Sequence, residues 1–166
     1  MLKLLSFIVR LSVFASVTLT TSLASAETLS GRVVSITDGD TVILLDKTHQ
    51  QYKIRLAAID APEKAQPFGQ KSKTNLSALI FNKDITAVCS KRDRYGRLIC
   101  KVLLGVSDVN LEQIKAGMAW HYRKYAKEQT SQDRENYEIA EFNAKLRRLG
   151  LWNDKNPIPP WDWRKH

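Results

Sequence analysis

Six side chains of this sequence are of types that could do chemistry together: Asp38, Asp40, Arg55, Asp60, Glu63 and Arg97. They lie in three short stretches: "DGD" at 38–40, "KIRLAAIDAPE" at 53–63 and "RDRYGR" at 92–97. In the middle stretch an apolar run carries an arginine inside it and two carboxylates at its end. Strand alternation lets Arg55 point away from the face packed by Ile54 and Leu56. Asp60 follows at the strand end, where Pro62 turns the chain away from a sheet. Taken alone, this stretch has two readings: a phosphate-binding arginine beside a metal-binding carboxylate, or an ion pair of Arg55 with Asp60 or Glu63.

The neighbouring stretches extend the first reading. Asp38-Gly39-Asp40 falls at a hairpin turn next to this strand, so Asp40 and Asp60 could share one hard cation, Ca²⁺ or Mg²⁺. Softer metals lack ligands, because His49, His121 and His166 are scattered and only two cysteines exist. Arg97 follows a turn glycine, and two guanidiniums can clamp one phosphate. A cation and two arginines would stabilise charge growing on a phosphoryl group. Glu63 could take a proton from an attacking water. Together these groups suit phosphodiester cleavage.

The elements that must position them follow from pattern and punctuation. "TLSGRVVSITDGDTVILLDK" reads as two strands around the Asp38-Gly39 turn, and "QYKIRLAAID", 51–60, as a third. "FGQKSKTNLSALIFN" has Leu76, Leu79 and Ile80 at helical spacing. "ITAVCS" and "RLICKVLL" are two more strands joined by an arginine-rich turn. If Arg94-Tyr95 form its tip, Asp93 faces Gly96 and Cys89 faces Cys100, near enough to bridge. Two readings of the cysteines stand: a disulfide, or two small buried hydrophobes. "DVNLEQIKAG" is a short helix with Asn110 as its cap and Gly117 as its end. "TSQDRENYEIAEFNAKLRRLGLW" is a longer one, capped by Thr130 or Ser131 and ended by Gly150. Its expected buried stripe is Ile139, Phe142, Leu146 and Leu149. The tail from about residue 153, rich in proline and tryptophan, is expected to be extended and not helical. The order β-β-β-α-β-β-α-α predicts an α+β domain: a five-stranded OB-type barrel with three α-helices, over 27–166.

The first 26 residues read as an export signal. Lys3 and Arg10 precede an apolar stretch, Leu11 to Leu23, and "ASA" at 24–26 is a small-residue cleavage site. That stretch falls short of the roughly 20 apolar residues needed to span a bilayer. Cleavage after Ala26 would leave a secreted or periplasmic protein with no stable membrane insertion, expected to be a monomer. The formal net charge is +9, and Lys3 and Arg10 account for only two of those charges. A strongly basic domain remains, and polyanions are its natural partners.

"DGDTV", "IRLAAIDAPE", "DRYGR" and "VNLEQIKAGMAW" resemble, in order and at similar intervals, the motifs of the staphylococcal nuclease (micrococcal nuclease-like) family. The resemblance covers about Gly31 to Trp152. It implies the OB barrel with three helices and a calcium-dependent, sugar-nonspecific nuclease that cuts DNA and RNA to leave 3′-phosphate ends. It makes Asp40 and Asp60 calcium ligands, with the backbone carbonyl of Ala61 as a third. The family often has threonine there, so a hydroxyl is lost and the carbonyl kept. Glu63 takes the general-base position, Arg55 and Arg97 the phosphate-binding positions. Asp38 lies where the family has a carboxylate near the metal. In "AWHYRKYAK", Tyr122, Arg123 and Tyr125 fall near the nucleotide-binding tyrosines: direct counting preserves Tyr125 and puts Arg123 where an aromatic is expected. The alternative from a different class is a non-catalytic OB module that binds nucleic acid, for which charge and aromatics would serve equally.

Overall fold

In the computed structural model, which describes residues 27–165, five strands close into a barrel. They are β1 (Glu27–Ile36), β2 (Thr41–Leu45), β3 (Gln51–Leu56), β5 (Asp84–Arg92) and β6 (Leu98–Leu104). Between β3 and β5 lie a two-residue strand, β4 (Ile59–Asp60), and the helix α1 (Gly69–Ile80). After β6 come β7 (Ser107–Asp108), α2 (Val109–Lys115), β8 (Trp120–His121), α3 (Ser131–Leu146) and a single-turn helix, α4 (Pro160–Trp163). Two 3₁₀ segments, Arg123–Glu128 and Gly150–Asn153, link the last elements. The proposed export signal lies outside the described residues. Among those described, no helix is long and apolar enough to cross a membrane.

The barrel closes because β1 serves two neighbours. Its first half, Glu27–Arg32, pairs with β5, and its second half, Arg32–Ile36, with β2. A bulge between Val33 and Ser35 bends it from one partner to the other. β3 then pairs parallel with β6, Ile54 beside Leu98 and Leu56 beside Cys100. Alternate residues point inward: Val42, Leu44, Ile54, Leu56, Leu98, Cys100 and Val102 are buried. Each buried Leu or Ile contributes about 1.5–3 kcal/mol of hydrophobic stabilisation.

The structure departs from the sequence expectations at several points. The strand expected over 51–60 is broken. β3 stops at Leu56, Ala57-Ala58 turn with Ala58 at φ 61°, and β4 starts a separate two-residue pairing with β8. A non-glycine residue there costs about 1–2 kcal/mol, and the site below gives the reason. The hairpin loop is one residue longer than expected: the Asp93 N–H donates to the Arg97 carbonyl, with Gly96 at φ 77° inside. A bulge between Cys89 and Lys91 shifts the register back by one, so Cys89 still faces Cys100 and the two form a disulfide. Closing so short a loop stabilises by about 3 kcal/mol.

The helices depart too. α2 is capped by Asp108, whose carboxylate accepts the Leu111 N–H; Asn110 is buried inside it. Thr130 caps α3 as expected. The helix ends at Leu146, not at Gly150, and buries nearly the opposite face: Tyr137, Ala140, Glu141 and Ala144. Two alanines let α3 approach its neighbours closely, and Tyr137 and Glu141 carry polar partners inward. Ile139, Phe142 and Leu146 are exposed instead. Leu149 lies beyond the helix, against a small second core of Ala144, Leu151 and Trp152. The tail is not wholly extended. Pro159 and Pro160 preset one helical turn, α4.

Candidate active site

Arg55 is the hub. Five residues along a straight strand span about 16 Å, too far for Arg55 to reach Asp60. The break at Ala57-Ala58 folds the chain back. One guanidinium nitrogen, Nη1, donates to the carbonyls of Leu56 and Ile59, both at 2.9 Å, bracing the turn. The other, Nη2, lies 2.9 Å from Asp60 Oδ1 and 3.1 Å from Asp40 Oδ2. The backbone strain at Ala58 therefore produces the convergence of Asp40 and Asp60 on one nitrogen.

Asp40 comes from the turn between β1 and β2. Asp38 shapes that turn by accepting the Asp40 N–H at 3.0 Å. Gly39 packs so tightly on α1 that a Cβ would lie 2.0 Å from the Ser72 hydroxyl. Asp40 in turn accepts the Thr41 hydroxyl at 3.0 Å and the Ala61 N–H at 2.7 Å. Burial pushes the Asp40 carboxyl up to about 7; Arg55 opposes this, and Asp38 and Asp60 add to it. Asp60 is 1 % exposed and Ala61 4 %. Glu63 stands at the rim, its carboxylate side chain 40 % exposed. Its N–H donates to Gln66 Oε1 at 3.0 Å.

Arg97 is not joined to this cluster by a hydrogen bond. It ends the hairpin loop, one residue before Leu98, which opens β6 and pairs with Ile54 beside Arg55. Asp93 holds it at 2.7 Å, and the Tyr95 ring lies under it. Farther along, Tyr122 and Tyr125 meet edge to face at 5.3 Å. Arg123 turns away from them and donates to the buried Glu141 at 2.9 Å. Glu141 also accepts the His121 N–H and Lys145. Burial alone would raise its pKa; those donors outweigh it and hold the carboxyl below its usual value.

Sequence reasoning missed three supports. Asn110, fully buried in α2, donates to the carbonyls of Ala57 and Cys100 and accepts the Val102 N–H, fixing the strained turn. Gln113, one helical turn on and equally buried, donates to the Gly39 carbonyl at 2.7 Å, fixing the Asp38–Asp40 turn. Two inward amides at i and i+3 were the available signal. The third is Arg164, from the tail. Its guanidinium reaches Asp60 Oδ1 at 3.2 Å and Oδ2 at 2.7 Å, and Glu63 Oε1 at 2.6 Å. No signal in the sequence distinguished it from the other tail charges.

With the geometry established, comparison with known proteins decides the family. The family model described as "Staphylococcal nuclease homologue" matches residues 53–154. The chain belongs to the staphylococcal nuclease family. An uncharacterized endonuclease of Haemophilus influenzae is 44 % identical over 144 residues, covering 87 % of this chain and 78 % of that protein. A micrococcal nuclease of Shigella flexneri is 37 % identical over 163 residues, covering 93 % and 91 %. A staphylococcal-like nuclease of Arabidopsis thaliana is 33 % identical over 119 residues, covering 70 % of this chain but 34 % of its own length. The family's barrel and helices are those of the fold above. Among the described residues no three His, Cys, Asp or Glu side chains gather as a metal-ligand group.

Proposed function

We propose that this protein is an exported, Ca²⁺-dependent, sugar-nonspecific endonuclease that hydrolyses phosphodiester bonds of DNA and RNA to leave 3′-phosphate ends. The observation that carries the reading is the convergence of Asp40 and Asp60 on the Arg55 guanidinium, with Glu63 at the same rim. A nuclease family and endonuclease relatives support it. Export rests on the leader-like first 26 residues.

The donor set fits a hard cation. Asp40, Asp60 and the Ala61 carbonyl offer oxygen only, and such a site leaves room for water ligands. Bound there, Ca²⁺ would supply positive charge to a phosphoryl oxygen. The chain's own residues do the rest. Arg55, pre-aimed by the Leu56 and Ile59 carbonyls, holds the phosphate, and Arg97 reaches it from the end of the neighbouring hairpin loop. Glu63 takes a proton from water as that water's oxygen bonds to phosphorus. The bond from phosphorus to the 5′-oxygen breaks, that oxygen takes a proton from solvent as it leaves, and Glu63 returns its proton to solvent. Phosphate stays on the 3′ side. Tyr122 and Tyr125 provide ring faces for bases, which stack with little regard to sequence.

The test is nicking of supercoiled plasmid with Ca²⁺ and with excess chelator. Cleavage is expected only with Ca²⁺, and ends that accept labelling only after 3′-phosphatase treatment. Undiminished cleavage in chelator would refute the metal assignment. Plasmid binding with no cleavage under either condition would favour a non-catalytic OB module.

A further inference from the structure

Residues 157–164 run back across the site. Gln66, which also accepts the Glu63 N–H, donates to the Ile158 carbonyl at 2.6 Å. Pro160 is buried. Trp161 then lies on Tyr122, ring centroids 5.3 Å apart and planes 17° from parallel, with Trp120 edge-on at 5.6 Å. Three residues later Arg164 takes both oxygens of Asp60 and one of Glu63. A single α4 turn sets the spacing between these two contacts. The fit against the body is incomplete: a cavity of about 60 Å³ remains under the tail between Pro62, Phe68, Trp120 and Ile158.

Each contact imitates a ligand. A nucleobase on Tyr122 would occupy the face that Trp161 covers. A cation at Asp60 would need oxygens that Arg164 already holds. The Glu63 Oε1 that could face a water is instead held by a guanidinium. The two contacts are independent in chemistry, one aromatic and one ionic, yet both fall on the same site from one short segment.

We propose that the C-terminal segment 157–164 is an intramolecular strap that competes with divalent cation through Arg164 and with nucleic acid through Trp161. The proposal rests on the nuclease reading of the site. Where divalent cation is scarce, the strap holds Asp60 and Glu63 closed. Where it is plentiful, the cation displaces Arg164, the α4 turn lifts, and Glu63 and Tyr122 become available together. The Arg164 side chain is 44 % exposed, so its attachment is weaker than that of the buried Arg55, which is 12 % exposed. Arg164 leaves first.

The test needs no substrate. Ca²⁺ is titrated calorimetrically into the full mature chain and its Arg164→Gln variant, and amide hydrogen exchange of residues 162–165 is followed in the wild type. Those amides donate to the Pro159, Pro160 and Asp162 carbonyls, and so report the α4 turn. R164Q is expected to bind Ca²⁺ about tenfold more tightly, the scale of one displaced charge-assisted contact. Arg164→Lys, which keeps charge but loses the two-pronged geometry, should fall between. Saturating Ca²⁺ should strip protection from the tail amides. Equal Ca²⁺ affinity in both chains, or tail amides that stay protected at saturation, overturns the strap and leaves the nuclease reading standing. Failure of both chains to bind Ca²⁺ overturns the metal reading and the strap with it.

Discussion

The two halves of the site are held in opposite ways. On the barrel side, Asp40 and Asp60 are 6 % and 1 % exposed, and every loop carrying them is pinned from behind by a buried amide. On the aromatic side, Tyr125 is 39 % exposed and meets Tyr122 edge-on, and the Tyr122 face is stacked by a tail residue. Charge stabilisation requires fixed dipoles that need not reorganise. Base stacking tolerates movement and many partners. In the proposed nuclease, the rigid half would therefore serve the phosphate, and the loose half whichever base arrives.

The sharpest way to break this comparison is Arg55→Lys. Lysine keeps the charge but cannot brace the Leu56 and Ile59 carbonyls while touching Asp40 and Asp60. A fall in kcat/KM of about 10²–10³-fold is expected, the scale for losing one pre-aimed donor. Plasmid-cleavage kinetics measure it; wild-type turnover would remove Arg55 from the phosphate.

Next in size is Gln113→Leu. It touches no proposed substrate atom, yet strands the buried Gly39 carbonyl and the Asn75 side-chain amide. About 2 kcal/mol of stability should be lost in denaturant titration. Cleavage should drop by about tenfold at temperatures where the variant is fully folded, because the Asp38–Asp40 turn loosens. A stability loss with unchanged kcat would show that this turn does not need its pin.

These supports mark the limit of what the sequence discloses. The barrel was legible because its strands alternate and its turns carry Gly and Asp, and the ligand-like residues were legible because their types are costly to bury. That Asp40 and Asp60 come together was readable from the adjoining hairpin and strand; the turn that brings both onto Arg55 was not. That turn depends on Ala58 adopting φ 61°, a conformation its residue type disfavours and only tertiary contacts impose. The stripe of α3 misleads for a related reason. Apolar residues at helical spacing mark a face, but two alanines and a partnered glutamate make the opposite face the closer fit. Cys89 and Cys100 stay opposed only because a longer loop and a bulge offset each other, a cancellation no turn rule contains.

Glu141 tests the aromatic half from behind. Its folded pKa is held below the usual glutamate value, so its contribution is full above the unfolded pKa and is lost as pH falls through the folded one. Glu141→Gln should cost about 1 kcal/mol at neutral pH, since Arg123 and Lys145 are both partly solvated. It should also flatten the loss of stability below the ordinary glutamate range. Chemical denaturation at several pH values shows this. An unchanged acid slope would mean the His121 N–H, not the charge, is what Glu141 holds.

The smallest effect should come from Trp161→Ala, and its sign matters more than its size. Trp161 packs on two rings at the surface of the loose half, so its removal should change stability by less than about 1 kcal/mol. The carboxylate half is untouched, so kcat should stay within about twofold. KM for an oligonucleotide separates two roles for the ring. If Trp161 occupies a base's place on Tyr122, its removal frees that face and KM falls a few-fold, within the ~1–3 kcal/mol that one stacked base contributes. If Trp161 instead extends the platform on which bases lie, KM rises by a similar factor. A fall places the boundary between rigid and displaceable halves at Tyr122. A rise moves that boundary outward and makes the tail part of the binding surface.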